Sequence, residues 1–160
     1  MNDKLTFSAG IINIVTGAFT FLYALIMALI TIVALLMSFT IFFLGAIPVF
    51  IIFLALTALT FGAAITNAVV GVGSIVTSMR GGRISKVFSI VSVSVDGVFI
   101  PVCGGILALW TISLVSANEI NWAAILFIIS TFVVLALTVT SLVLHSVRLV
   151  KFGQKEPTAV

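Results

Sequence analysis

Between Lys4 and Arg80 the chain carries no charged side chain. An uncharged run of that length cannot cover a surface that faces water. Soluble domains carry about 25% charged residues, whereas here 7% of the 160 residues are charged and 62% are hydrophobic. The chain is therefore expected to be solvated by lipid, as one membrane domain over 1–160. The interval from Lys4 to Arg80 needs at least two crossings, because a helical span takes about 20 residues and about 25 when tilted.

The breakers in that interval are Ser38-Phe39-Thr40 and Gly45-Ala46-Ile47-Pro48. They place a first helix at about 8–36 and a second at about 48–78. Pro48 then falls in the first turn, where its missing N–H is no loss. The basic stretch Arg80-Gly81-Gly82-Arg83-Ile84-Ser85-Lys86 reads as a loop over 79–86, followed by a third helix at about 87–115. Ser116-Ala117-Asn118-Glu119-Ile120-Asn121 reads as a polar turn with Asn121 as N-cap. A fourth helix at about 122–150 and a polar tail over 151–160 complete the chain. The fold class expected is an all-α integral membrane protein, a bundle of four transmembrane helices.

The basic residues set the expected orientation. Lys4, then Arg80, Arg83 and Lys86, then Arg148, Lys151 and Lys155 fall at the start, the central loop and the end. The other two turns hold no Lys or Arg. Four crossings put all three basic regions on one side, with the N- and C-termini cytoplasmic, and Trp122 at the opposite interface. Met1 to Thr6 is short and weakly basic for a signal n-region, and the apolar run behind it exceeds an h-region of about 7–15 residues. The first segment is expected to be retained. A β-barrel is the rival, suggested by the alternation in Ser92-Val93-Ser94-Val95-Asp96. Barrel strands run about 9–11 residues between polar turns, far shorter than the uncharged runs here, and open strands cannot cross lipid.

Offsetting the chain by 80 aligns Gly17-Ala18-Phe19 with Gly97-Val98-Phe99, and the segment 26–32 with 106–112. Such matches also arise by chance in apolar sequence, so duplication of a hairpin stands beside coincidence.

Composition excludes several classes of function. The formal net charge of +3 comes from residues spread over loops and termini and not over a face, so nucleic acid is not an expected partner. Cys103 is the single cysteine and His145 the single histidine, which argues against a disulfide, a thiolate cluster or a dedicated metal site; no cofactor is expected. Gly71-Val72-Gly73 lacks the third glycine of a nucleotide fingerprint, and Asn118-Glu119-Ile120 is no glycosylation acceptor. The serines that open the third helix have no base in reach except His145, so no enzyme is expected.

Small and polar residues recur at helical spacing in each span. The first carries Gly10, Asn13, Gly17, Thr20 and Ala24. The second carries Thr60, Ala63, Asn67, Gly71, Ser74 and Ser78. The third carries Ser85, Ser89, Ser92, Asp96 and Cys103, and the fourth Thr131, Thr138, Ser141, His145 and Arg148. Helix packing accounts for most of these, since small residues let backbones approach and hydroxyls bond across the contact.

Asn13, Asn67, Asp96 and His145 exceed what packing needs. At about 1.5 Å per residue, Asp96 lies roughly 15 Å from Lys86, Asn67 about 20 Å from Arg80 and His145 about 9 Å from Lys151. They form one candidate ion- or proton-binding cluster, with His145 also able to snorkel to the interface. An Asp at a helix centre costs about 2.5–3.5 kcal/mol on insertion scales. It must therefore either meet a partner or be held protonated. Asn67 is the expected partner. Pro101 removes a backbone hydrogen bond to the Gly97 carbonyl, and Gly104 and Gly105 weaken the next turn, so a helix kink is expected just beyond the acid.

The run Ala9-Gly10-Ile11-Ile12-Asn13-Ile14-Val15-Thr16-Gly17 resembles the first helix of many small bacterial four-helix membrane proteins. The resemblance implies a multi-pass protein of a bacterial plasma membrane. The first functional reading is a non-enzymatic scaffold, assembly or accessory subunit acting through its helix faces on lipid, other membrane proteins or a homodimer. The alternative is a small channel or proton/cation-coupled transporter centred on Asp96.

Overall fold

The computed structural model describes residues 2–40, 46–78, 83–116 and 122–153. These form four helices in chain order: α1 (Asn2–Thr40), α2 (Ala46–Ser78), α3 (Arg83–Ser116) and α4 (Trp122–Gly153). Each contains a segment of 30–33 residues long and apolar enough to cross a membrane, against the roughly 20 a span requires. Successive helices alternate in direction and each packs on its neighbours in the ring α1–α2–α3–α4, while the diagonal pairs stay apart across the core.

The helices outrun the boundaries expected from hydropathy. α1 starts at Asn2 and ends at Thr40 instead of spanning 8–36, and α2 begins at Ala46 with Pro48 in its first turn. Residues 83–86, expected in the loop, open α3, and residues 151–153, expected in the tail, close α4. Apolar length measures what lipid must cover, whereas helical hydrogen bonding continues until a breaker intervenes. Neither Arg83–Lys86 nor Lys151–Phe152 contains a glycine or proline. Residues 79–82 and 154–160, and the 117–121 turn with its expected N-cap Asn121, lie outside the described residues.

The bundle is apolar outside and buries most of its polar side chains inside. Leu22, Leu29, Ile51, Val98, Ile112, Leu126 and Phe132 are among the many large side chains that point outward. Lipid solvates a surface of that kind; water does not. Hydroxyls on the outer face close on their own backbone: Thr66, Thr111 and Thr140 donate to the carbonyls of Gly62, Leu107 and Ala136 at 2.7–2.8 Å. Each of these three hydroxyls thereby keeps its hydrogen bonded on the outer face. Lys4, Arg83, Lys86, Arg148 and Lys151 all lie at the end where α1 and α3 begin and α2 and α4 finish, the basic end.

α1 and α2 approach most closely, and glycines make this possible. A Cβ on Gly10 would lie 2.9 Å from the Gly71 carbonyl oxygen; on Gly17, 2.9 Å from the Ala68 nitrogen; on Gly71, 2.9 Å from both Gly10 O and Ile14 N. Gly10 and Gly17, seven residues apart, face Ala64, Ala68 and Gly71, so backbone meets backbone along this seam. Farther along, Thr31 and Thr57 share a hydrogen bond of 2.9 Å between the same two helices.

α2 and α3 meet differently. Near the basic end Gly73 lies against the ring of Phe88. Beyond that the seam opens into a cleft of about 420 Å³ between Leu59, Gly62, Thr66, Ser94, Val98 and Phe99. A second cleft, of about 290 Å³, lies nearer the far end, with Phe53, Ile106 and Trp110 on its walls. α3 stays helical through Pro101, which is exposed, and a Cβ on Gly97, Gly104 or Gly105 would meet nothing within 4 Å.

Candidate functional site

Every residue of the four stripes read from the sequence is buried: those on α1 from Gly10 to Ala24, on α2 from Thr60 to Ser78, on α3 from Ser85 to Cys103 and on α4 from Thr131 to Arg148. Together they fill the axis of the bundle. From the basic end inward come Ser78, Ser85 and Arg148, then Ser74, Ser89 and His145, then Asn13, Asn67, Ser92, Asp96 and Ser141. Asp96 sits 12 residues beyond Ile84 in a 33-residue span, a little over a third of the way along it.

The four residues singled out as a cluster, Asn13, Asn67, Asp96 and His145, are each 0% exposed. Asn13 (α1) reaches across the diagonal and its Nδ2 donates to Ser92 Oγ on α3 at 3.1 Å. Ser92 Oγ lies 3.2 Å from Asp96 Oδ2, one turn farther on the same helix. Ser141 Oγ on α4 lies 2.6 Å from the same Oδ2 and within hydrogen-bond reach of Asn13 Oδ1. Three helices thus close a ring of side chains: Asn13, Ser92, Asp96, Ser141 and back to Asn13. The two serines lie 3.4 Å apart across it.

Asn67 was expected to be the partner of Asp96, and the structure supplies two closer ones. Asn67 on α2 sits beside the carboxyl, close enough for its amide to pair with it, but falls short of full hydrogen-bond geometry. Ser141 and Ser92 take that place. Height explains the difference, because sequence spacing fixes which face of α2 carries Asn67 but not how high α4 stands beside α3. Ser141 was visible only as one member of the α4 stripe, four residues before His145. That spacing on one face is the signal that could have found it.

His145 is fully buried and does not snorkel. Its Nδ1 lies 3.1 Å from Ser89 Oγ, while Nε2 has no hydrogen-bond partner. Asp96 Oδ1, both amide atoms of Asn67, Ser74 Oγ and Thr20 Oγ1 are likewise buried without one. Buried polar atoms ordinarily bond to protein or ordered water, so these mark where the core has capacity for a small polar tenant. Among the described residues no three of His, Cys, Asp and Glu gather as a metal-ligand group.

Beyond this level the axis turns apolar. Tyr23, Met27, Phe99, Cys103, Ile106, Phe127 and Val134 form one buried cluster, backed by Trp110. The Phe127 ring stands between Tyr23 at 5.3 Å and Trp110 at 4.8 Å. Within this cluster Thr131 Oγ1 meets the Tyr23 hydroxyl at 3.0 Å. The polar column therefore runs in from the basic end and stops at an aromatic plug.

Compared with family models, with curated proteins and with solved structures, the chain matches none.

Proposed function

We propose that this chain is a multi-pass membrane protein that binds an exchangeable proton or small cation at Asp96, as a small channel or cation-coupled transporter. Its basic end faces the cytoplasm, following the bias of Lys and Arg to that side, and the plasma membrane of a bacterium is its setting. The observation that carries the reading is the fully buried Asp96 in a polar column to which all four helices contribute. Intramembrane ionisable residues are costly and mark ion pathways by default. Packing alone does not call for an acid with an open Oδ1 beside an asparagine with two open amide atoms. With the aromatic plug in place the column is a half-path that leads in from the basic end. Passage through the protein requires the plug to part, and the α2–α3 seam with its clefts is where the helices hold each other least.

The scaffold reading keeps one observation of its own. Gly62, Gly97, Gly104 and Gly105 have open space where a Cβ would stand. Small residues without neighbours admit a partner helix, from a second copy or another membrane protein.

Flux separates the two readings. Full-length protein reconstituted in liposomes is expected to pass protons, Na⁺ or K⁺ down an imposed gradient. Asp96→Asn is expected to slow that flux by about a hundredfold, the scale of one lost proton-transfer group. Absence of flux for all three ions, or equal flux in the two proteins, removes the transport reading.

A further inference from the structure

The ring around Asp96 allows its hydrogens to be counted. It contains four contacts: Asn13 with Ser92, Ser92 with Asp96 Oδ2, Asp96 Oδ2 with Ser141, and Ser141 with Asn13. Each contact needs one hydrogen between its two heavy atoms. A serine hydroxyl supplies one, and an amide that turns Nδ2 to one neighbour and Oδ1 to the other supplies one to the ring; a carboxylate supplies none. Asn13, Ser92 and Ser141 together provide three. Turning the Asn13 amide over moves the deficit without removing it, because Ser92 must then serve both Asn13 Oδ1 and Asp96 Oδ2. The Ser92–Ser141 contact across the ring only adds to the demand.

We infer that the fourth hydrogen is a carboxyl proton on Asp96, so that the tenant of this site is H⁺ and not a metal cation. The inference rests on the proposed function for the use of the site, but not for the proton count. With that proton the ring runs in one sense, Asn13 Nδ2–H to Ser92, Ser92 to Asp96 Oδ2, Asp96 to Ser141 and Ser141 to Asn13 Oδ1. A chain of donors running one way strengthens each bond in it. Release of the proton to water leaves a carboxylate and one contact without a hydrogen.

Two further observations disfavour a metal cation. Asp96 Oδ2 is already engaged with two hydroxyls, leaving its Oδ1 and the side-chain oxygens of Asn67, Ser74 and Thr20 as the buried oxygens without a partner. Hard cations take about six oxygen ligands. The charged and titratable groups nearest the ring are His145 and Arg148 from α4, on the side of the basic end, with Lys86 on α3 beyond them. α1 and α2 present Asn13, Thr16, Thr20, Asn67 and Ser74 to it, none of which titrates, and Tyr23 and Cys103 stand about two turns farther in. A metal cation arriving from the basic end would pass Arg148, whereas a proton can be handed along hydroxyls and imidazole.

The test needs no variant at Asp96. The chain contains two aspartates, Asp3 and Asp96. Full-length protein carrying ¹³C at the aspartate side-chain carboxyl, reconstituted in lipid at neutral pH, is expected to show the infrared carbonyl stretch of a protonated carboxyl. That band should shift with the label and persist in Asp3→Asn. Aspartate signal found only as carboxylate, or a protonated band that vanishes in Asp3→Asn, overturns the inference. Asp96→Asn adds a second reading, because its amide can supply the fourth hydrogen as the neutral acid does. It is expected to melt at or above wild type, and a clear fall in Tm while Asp96→Ala melts no lower counts against the ring. Flux of Na⁺ or K⁺ with no protonated band sinks the proton assignment and leaves the transport reading standing. A protonated band with no flux of any ion does the reverse.

Discussion

The two halves of this bundle solve opposite problems. In the basic half, four helices bury asparagine, aspartate, histidine and a file of serines, and glycines bring α1 and α2 into backbone contact. In the far half, the core is Tyr23, Met27, Phe99, Ile106 and Phe127, and a cleft of about 290 Å³ opens between α2 and α3, while the larger cleft of about 420 Å³ lies midway along that seam, between Thr66 and Ser94. Small polar side chains need short distances before their hydrogen bonds can form, so the polar half is drawn tight. Bulky rings fill a wider space and leave gaps at its edge. In the proposed membrane setting nothing drives those gaps closed, because hydrocarbon solvates leucine and phenylalanine as well as another helix does.

The sharpest way to break this contrast is to place the same side chain in the tight α1–α2 seam and on an open face of α3. Gly17→Val puts a branched Cβ where the Ala68 nitrogen would stand 2.9 Å away and the Ala64 carbonyl oxygen 3.1 Å away. Neither backbone atom can move without shifting a helix, and a loss of about 3 kcal/mol is expected. Gly97→Val, in open space on α3, is expected to change stability by less than about 0.5 kcal/mol. Reversible unfolding in mixed micelles reads both. Equal losses at the two sites would mean that α1–α2 is not the tight seam of the bundle.

Serines allow a finer cut. Ser141→Ala removes the hydroxyl that meets both Asp96 Oδ2 and Asn13 Oδ1. Stranding those buried groups is expected to cost about 1–3 kcal/mol. Ser94→Ala, at the α2–α3 cleft and exposed, is expected to stay within about 0.5 kcal/mol. The same unfolding assay separates them, and a Ser141→Ala protein as stable as wild type would show that the ring does not hold the helices.

What was legible in the sequence follows the same division. The polar stripes were legible in full, because in a chain that is otherwise apolar a small or polar residue has one place to go. Asn13, Asn67, Asp96 and His145 all reach the core for that reason. The number of long apolar helices followed from the breakers and polar turns that divide the apolar stretches, and the helix ends did not, since hydropathy reports apolar length and not where helical bonding stops. The contacts among the buried residues were hidden. Spacing along a helix sets a face, but the height of α4 against α3 decides that Ser141 stands nearest to Asp96. The reach of Asn13 across the diagonal depends on the thickness of the bundle, which no single helix encodes. The aromatic plug was hidden for another reason. Phe99, Phe127 and Tyr23 sit among the 14 phenylalanines and one tyrosine of a chain in which large apolar residues occupy every face.

The smallest effect tests whether the far half owes anything to polarity. Tyr23 is buried among rings, and its hydroxyl meets Thr131 Oγ1 at 3.0 Å. Thr131 also donates to the Phe127 carbonyl at 2.8 Å, so its hydroxyl keeps an acceptor when the tyrosine oxygen is removed. Tyr23→Phe leaves the ring in place against Phe127 and deletes one hydrogen bond between helices. Such bonds average about 0.6 kcal/mol within membranes, and a loss of that size is expected in the unfolding assay. A loss as large as that of Ser141→Ala would make the Tyr23–Thr131 pair a second polar anchor, and the division of the bundle into a polar and an apolar half would no longer describe what holds it together.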